Sequence, residues 1–165
     1  MRVTRAQIFI ALSFIVALLL TLLPLPLWTE WVKPAWLVLV LIYWVIYYPE
    51  KVGVVAAFVL GMLLDVVNNV PFGINEFILV LLSFLILRFI KTVRNLDFLQ
   101  LTLVVGFVLL SYHIMLYLLL FFVNGQSANF LFCITRTAMS LILWPILAML
   151  LFDYQRGLGL ENYNQ

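Results

Sequence analysis

Residues 34–76 read PAWLVLVLIYWVIYYPEKVGVVAAFVLGMLLDVVNNVPFGINE. The stretch holds two apolar runs on either side of the polar corner Pro49-Glu50-Lys51. Each run has about 15 residues, fewer than the roughly 20 that span a bilayer upright, yet neither is flanked by a sequence polar enough for a soluble loop. Because the corner is so short, we expect the two runs to form antiparallel neighbouring helices within a membrane.

One ionisable side chain, Asp65, lies inside the second run. A carboxylate costs about 3 kcal/mol at the centre of a membrane helix and less near its end, so we expect it to face protein or water. The turn-forming residues 66–73 are consistent with a position in the last helical turn, near the headgroups. Alternatively, Asp65 anchors a packing or partner site. Small residues at four-residue spacing let two helices approach closely, and the same helix carries Gly53, Ala57 and Gly61.

Several positions of this stretch recur together in one known family. They are Pro34, Tyr43-Trp44, Gly53, Ala57-Phe58, Gly61, Asp65 and Phe72-Gly73. In these residues, and in its length and basic amino terminus, the chain resembles the MreD family of bacterial rod-shape proteins. The resemblance implies a non-enzymatic inner-membrane component of the cell-elongation machinery. It also implies partners: MreC directly, on the outer side, with MreB, RodA and penicillin-binding protein 2 in the wider complex.

The composition excludes a soluble globular domain. Hydrophobic residues make up 67% of the 165 residues and charged residues 10%, and the mean hydropathy is +1.21. A net charge of +2 with scattered cations does not indicate a nucleic-acid partner. We therefore predict an all-α polytopic membrane protein.

The hydropathy pattern predicts a single domain, residues 1–165, with six transmembrane helices. The first apolar run is too long for a signal peptide and no small-residue cleavage site follows it, so we interpret it as an uncleaved span. The predicted spans are about 8–27, 35–48, 52–67, 76–90, 99–123 and 130–152.

Six spans place both termini on one side of the membrane. On that side lie Arg2, Arg5, Lys51, Arg88, Lys91, Arg94 and Arg156. Lys33 alone lies on the other side, and Arg136 falls within a span. This bias predicts that both termini are in the cytoplasm. The rings of Trp28, Trp31 and Trp36 prefer the membrane interface and are expected to set the depth of the first outer loop.

The densest basic cluster, Arg88, Lys91 and Arg94, follows the fourth predicted span. We expect it at the cytoplasmic surface, where each cation near anionic lipid contributes about 1 kcal/mol. Topology and contact with membrane lipid explain the cluster fully, although MreB could use the same patch.

Two further polar side chains lie inside spans. Arg136 is roughly two turns into the sixth span, at a depth similar to Asp65, and we hypothesise that the two interact directly or through water. The alternative is that Arg136 alone extends outward to the headgroups. We interpret His113 as a neutral histidine hydrogen-bonded within the bundle, and Cys133 as a small buried apolar side chain.

The outer turn Pro71-Phe72-Gly73 precedes the fourth span. Asn75 could cap that span, and Glu76 would favour the positive end of the helix. The same loop is a candidate partner contact.

Two functions are consistent with these residues. The first is a scaffold that holds partner proteins by helix packing, and its candidate residues are Gly53, Ala57, Gly61, Asp65, Phe72, Gly73 and Arg136. The second rests on a similar architecture, that of the six-helix substrate-binding subunits of energy-coupling-factor vitamin transporters. In that case a small-molecule cavity would be lined by Asp65, Asn69, Asn75 and Arg136. No nucleophile with its base, phosphate loop or metal motif is recognisable, so the sequence predicts neither an enzyme nor a cofactor.

Overall fold

The computed structural model describes residues 2–23, 33–125 and 130–157. Within these ranges every regular element is an α-helix, so the prediction of an all-α chain is confirmed for the described residues. The helices are α1 (Arg2–Leu22), α2 (Trp36–Tyr47), α3 (Val54–Asn68), α4 (Ile74–Arg88), α5 (Ile90–Arg94), α6 (Phe98–Asn124) and α7 (Phe130–Gly157).

Two of these helices are long and apolar enough to cross a membrane by length and composition. The relevant stretches are Phe98–Val123 in α6 and Leu131–Asp153 in α7. Three further stretches are apolar but shorter: Gln7–Leu22, Trp36–Tyr47 and Val54–Asn68. With 67% hydrophobic residues, the chain is a helical membrane protein. The number of spans stays a prediction.

Helix α2 is the centre of the bundle. All residues from Leu37 to Ile46 are buried, and none of them carries a charge, so neighbouring helices can enclose the helix without burying an unpaired ion. Helices α1, α4, α6 and α7 pack around it. Two hydrogen bonds fasten it to distant helices. Trp44 Nε1–H donates to Ser13 Oγ in α1 at 2.8 Å, and the backbone N–H of Ala35 donates to Ser140 Oγ in α7 at 3.0 Å.

The expectation that α2 and α3 are antiparallel neighbours is wrong. Helix α3 makes its main contact with α4, and α4 in turn packs against α2. The connection at residues 48–53 forms a tight turn, in which the N–H groups of Lys51 and Val52 both donate to Tyr48 O. This turn directs α3 away from α2. The sides of α2 are occupied by four other helices, whereas the small residues of α3 fit α4.

The two ends of the bundle differ in their polar groups. We call one the Asp65 end, where α2 begins, the turn 69–73 lies and α6 ends. At the opposite end, the Arg94 end, the guanidinium donates from Nε to Ile46 O at 3.0 Å and from Nη2 to Tyr47 O at 2.8 Å. These bonds satisfy carbonyls at the carboxyl end of α2. The sequence suggested that topology and lipid contact explain the basic cluster fully. For Arg94 this is wrong, because its guanidinium also binds the end of α2.

Of the three tryptophans predicted near the interface, Trp36 is half-buried at the first residue of α2. Tyr43 and Trp44, further along the same helix, are fully buried. Trp28 and Trp31 lie outside the described residues. The fourth predicted span, residues 76–90, is divided at Phe89 into α4 and the short α5.

Candidate functional site

Helices α3 and α4 form a hairpin whose turn depends on two residues with positive φ. Asn69 closes α3 with φ 51°, and Gly73 precedes α4 with φ 98°. Asn enters the left-handed region more readily than most residues, and Gly does so without steric penalty. The sequence Asn-Val-Pro-Phe-Gly, residues 69–73, therefore folds the chain back within five residues.

The Asp65 carboxylate lies across this turn, in the last turn of α3, with 1% of its surface exposed. Its Oδ2 accepts the backbone N–H of Gly73 at 2.8 Å. Its Oδ1 accepts the backbone N–H and the side-chain Nδ2–H of Asn75, at 3.0 and 2.8 Å. A negative charge at the amino end of a helix satisfies free N–H groups and is favoured by the helix dipole. The expectation that Asn75 caps α4 is wrong, since Asp65 supplies the cap from α3.

The hydrogen bonds continue from α4 to α6. Asn75 Oδ1 accepts the hydroxyl hydrogen of Tyr112 at 2.7 Å, and both side chains are buried. We call Asp65, Gly73, Asn75 and Tyr112 the Asp65 network. Each polar atom of the Asn75 side chain is thereby used, which removes the penalty of burying the amide. The network joins three helices at the Asp65 end.

Gly61 lies one turn before Asp65 and sets the distance between α3 and α4. A Cβ at this position would overlap Glu76 Cα and lie 2.7 Å from Glu76 N. Ala57, a further turn back, is fully buried. Gly53 has a different place, before the first residue of α3, where a Cβ would be at an ordinary 3.7 Å from Pro49 O. Close helix approach therefore depends on Gly61, and α4 occupies that face.

The remaining predicted residue of the turn, Phe72, is 73% exposed beside the buried network. Glu76 lies in the first turn of α4, where its charge suits the positive helix end. Phe72 therefore presents an aromatic ring on a turn that Asp65 holds in one shape.

A cavity of about 250 Å³ opens beside the network, among α1, α2, α3, α6 and α7. We call it the polar cavity. Its described polar lining consists of Thr21, Lys33, Asn68, Tyr112, His113, Tyr117 and Arg136. Of the four residues expected in a vitamin-capture cavity, Arg136 is in the described lining. Asp65 and Asn75 instead hold α4, and Asn69 closes α3, so the predicted set does not converge.

Arg136 lines the polar cavity together with Tyr112 and His113. The interaction between Asp65 and Arg136 stays a prediction. His113 lies inside the bundle as expected, with Nδ1 at 2.9 Å from Leu109 O and 3.0 Å from Thr137 Oγ1. Cys133 is buried, as the sequence predicts.

The hydrogen bonds of this arrangement hold helices together and leave no reactive group in position for catalysis among the network residues. The described carboxylate, amide and phenol of the Asp65 network are engaged with each other or with backbone groups. Among the residues that the structure describes, no group of three or more His, Cys, Asp or Glu could hold a metal ion. Sequence reasoning missed Tyr112, whose only signal was a phenol within an apolar span.

Comparison with known proteins identifies the family. The model of the family described as rod shape-determining protein MreD matches residues 2–154. The rod shape-determining protein MreD of Haemophilus influenzae is 34% identical over 160 residues, which cover 94% of this chain and 96% of that protein. No solved structure matches the chain significantly, so the similarity to vitamin-capture subunits gains no support. The chain belongs to the MreD family of rod shape-determining proteins.

Proposed function

We propose that this protein is a non-enzymatic scaffold in the bacterial inner membrane that binds MreC and helps to position or regulate peptidoglycan synthesis. Family membership supports a general role in cell shape. The family is described as shape-determining, which names no enzymatic activity. In the proposal six helices cross the membrane and both termini are cytoplasmic. MreB, RodA and penicillin-binding protein 2 belong to the wider complex.

The observation that supports the proposal is that Asp65 binds the amino end of α4. An ionised carboxylate buried in a membrane helix is expensive, and such groups commonly mark a functional site. Here both oxygens are occupied by the amino end of α4. The charge fixes the shape of a hairpin and is not presented to a substrate, which favours a protein that displays a rigid surface.

The surface so displayed is apolar and continuous. Helix α3 packs mainly on α4, and its other side exposes Val55, Phe58, Val59, Met62, Leu63 and Val66. Phe72 extends from the tip of the same hairpin. Exposed aromatic residues on rigid supports are frequent anchors of protein interfaces. The proposed contact with the membrane helix of MreC therefore lies along α3, with Phe72 near its outer end.

The test compares two phenylalanines with the same exposure. Phe72 and Phe122 are each 73% exposed, and Phe122 lies near the end of α6. Tagged protein is extracted from its own host membranes in mild detergent, and the bound MreC is quantified. We expect Phe72→Ala to lower MreC recovery about ten-fold, equivalent to about 1.4 kcal/mol, because it removes an anchor from the interface.

Phe122→Ala is the matched control and should retain MreC. Recovery that is equal in both variants would remove Phe72 from the interface. Failure of the wild-type protein to retain MreC or any wall-synthesis protein would refute the scaffold itself.

A further inference from the structure

The charged residues in the described lining of the polar cavity are all positive. Lys33 and Arg136 are both present, and no Asp or Glu is among the described lining residues. Asp65 is close in the network but directs both carboxylate oxygens to α4. The first turn of α2 forms another wall, and the N–H groups at the start of a helix add partial positive charge. The cavity therefore favours an anion.

Neutral hydrogen-bonding groups accompany the two cations. The lining includes the phenols of Tyr112 and Tyr117, the amide of Asn68 and the ring of His113. A phosphate group accepts several hydrogen bonds at once, and Lys and Arg are its usual partners in proteins. The Tyr112 hydroxyl gives its single hydrogen to Asn75, so Tyr112 connects the cavity to the Asp65 network and leaves donation into the cavity to the other groups.

The size and depth of the cavity limit the kinds of ligand that could fit it. Its volume, about 250 Å³, is below the roughly 300 Å³ at which small-molecule pockets begin. Its lining runs from Leu120 inward to Tyr112 on α6, a distance of about 12 Å at 1.5 Å per residue. Asn68 is the last residue of α3, and Lys33 lies three residues before α2. Helix ends and the segments beside them are where a membrane protein meets the headgroups. These dimensions suit a single headgroup with its chains left in the bilayer.

We propose that the polar cavity binds a phosphate group, held by Lys33 and Arg136 with a hydrogen bond from the Tyr117 hydroxyl. The source is either the headgroup of an anionic phospholipid or a soluble phosphate. Binding would join α2, α6 and α7 at the Asp65 end. The inference does not depend on MreC or on any role in wall synthesis, so its test is independent of the scaffold proposal.

The test uses purified full-length protein in micelles at physiological salt, where attraction to exposed surface charge is screened. The probes are phosphatidylglycerol and, as the zwitterionic comparison, phosphatidylcholine with the same acyl chains. Retained lipid is counted by native mass spectrometry, and the melting temperature is recorded at each lipid concentration. The variants are Lys33→Gln and Arg136→Gln. Arg88→Gln, which removes an exposed cation from the other end, is the matched control.

We expect each cavity variant to weaken phosphatidylglycerol binding about five-fold and to reduce its stabilising effect, while Arg88→Gln leaves both unchanged. Lys33 lies outside the helices, so Lys33→Gln remains informative if Arg136→Gln does not fold. A second arm replaces the lipid with inorganic phosphate, with chloride at equal ionic strength as the reference.

Stabilisation by inorganic phosphate alone, lost in the cavity variants, would support a phosphate site that takes a soluble ligand. Equal loss of lipid binding in all three variants would overturn the proposal, since the attraction would then be general surface charge. The absence of any effect of lipid or phosphate in the wild-type protein would overturn it as well.

Discussion

The carboxylate of Asp65 accepts the backbone N–H of Gly73 at 2.8 Å, eight residues further along the chain. The bond brings a charge from the last turn of α3 to the amino end of α4. Because Gly73 has φ 98°, few other residues could present this N–H from the same turn. One buried carboxylate thus determines how two successive helices meet.

Replacement of Asp65 should destabilise the protein strongly. Asp65→Ala leaves two backbone N–H groups and the Asn75 amide without their acceptor, and we expect a loss of about 3 kcal/mol or more. Asp65→Asn keeps one oxygen but no charge and should be intermediate. The measurement is thermal unfolding in detergent.

The control for Asp65 is Asp97→Ala. Asp97 is exposed before α6 and makes no side-chain cap there, so the change should stay within about 0.5 kcal/mol. Equal melting temperatures for Asp65→Ala and the wild type would contradict the role of the carboxylate as a cap.

A methyl group at Gly61 should force α3 and α4 apart. Its Cβ would meet the backbone of Glu76, which cannot move aside as a flexible side chain would. We expect Gly61→Ala to lower the free energy of unfolding by about 1 to 3 kcal/mol. Gly53→Ala is the paired change and should be close to neutral, since its Cβ has ordinary space. Similar melting curves for the two variants would show that the helix approach at Gly61 is not tight.

Two buried tryptophans should respond differently to replacement by phenylalanine. Trp44 and Trp144 are both fully buried, but Trp44 Nε1–H donates to Ser13, whereas Trp144 Nε1 has no hydrogen-bond partner among the described residues. Trp44→Phe loses a hydrogen bond worth about 1 kcal/mol in addition to packing. Trp144→Phe removes an unsatisfied donor, which offsets part of its packing loss. Thermal unfolding should therefore rank Trp144→Phe as the more stable variant, and the reverse order would contradict this account.

The orientation in the membrane can be tested with single cysteines. The native Cys133 is buried, so the wild-type protein should give little background with a membrane-impermeant maleimide. Phe72→Cys, at the exposed turn, should react in intact spheroplasts if both termini are cytoplasmic. Asn95→Cys, exposed at the Arg94 end, should react only after permeabilisation. The opposite labelling pattern would invert the proposed topology.

The sequence predicted where the helices begin and end better than it predicted which helices pack together. Apolar runs and turn residues place most helix ends within a few residues, because the hydrophobic effect and turn geometry act locally. The central position of α2 could not be predicted, since a run that is apolar on all sides has no periodicity to indicate which face is buried. The tight corner at Pro49 suggested that α3 packs beside α2, but tertiary packing placed α4 there.

The candidate site was predictable to the same degree. A carboxylate in an apolar run indicated that Asp65 faces protein, and the small-residue spacing brought attention to Gly61. The partners of Asp65 depend on the path of a turn, and Tyr112 lies 37 residues beyond Asn75 in the chain. Arg94 likewise binds a carbonyl 48 residues away. Such long-range hydrogen bonds leave no local pattern in a single sequence.

The bond from Ala35 to Ser140 has a consequence for biogenesis. The two residues are 105 positions apart, so at about 5 to 20 residues per second the ribosome makes Ser140 on the order of ten seconds after Ala35. During that interval only α1, among the helices that later surround α2, precedes it in the chain. Lipid or the insertion machinery must cover the rest of its surface. Arrival of α7 is therefore the step that closes the bundle, and chains truncated before it would leave the central helix open to degradation.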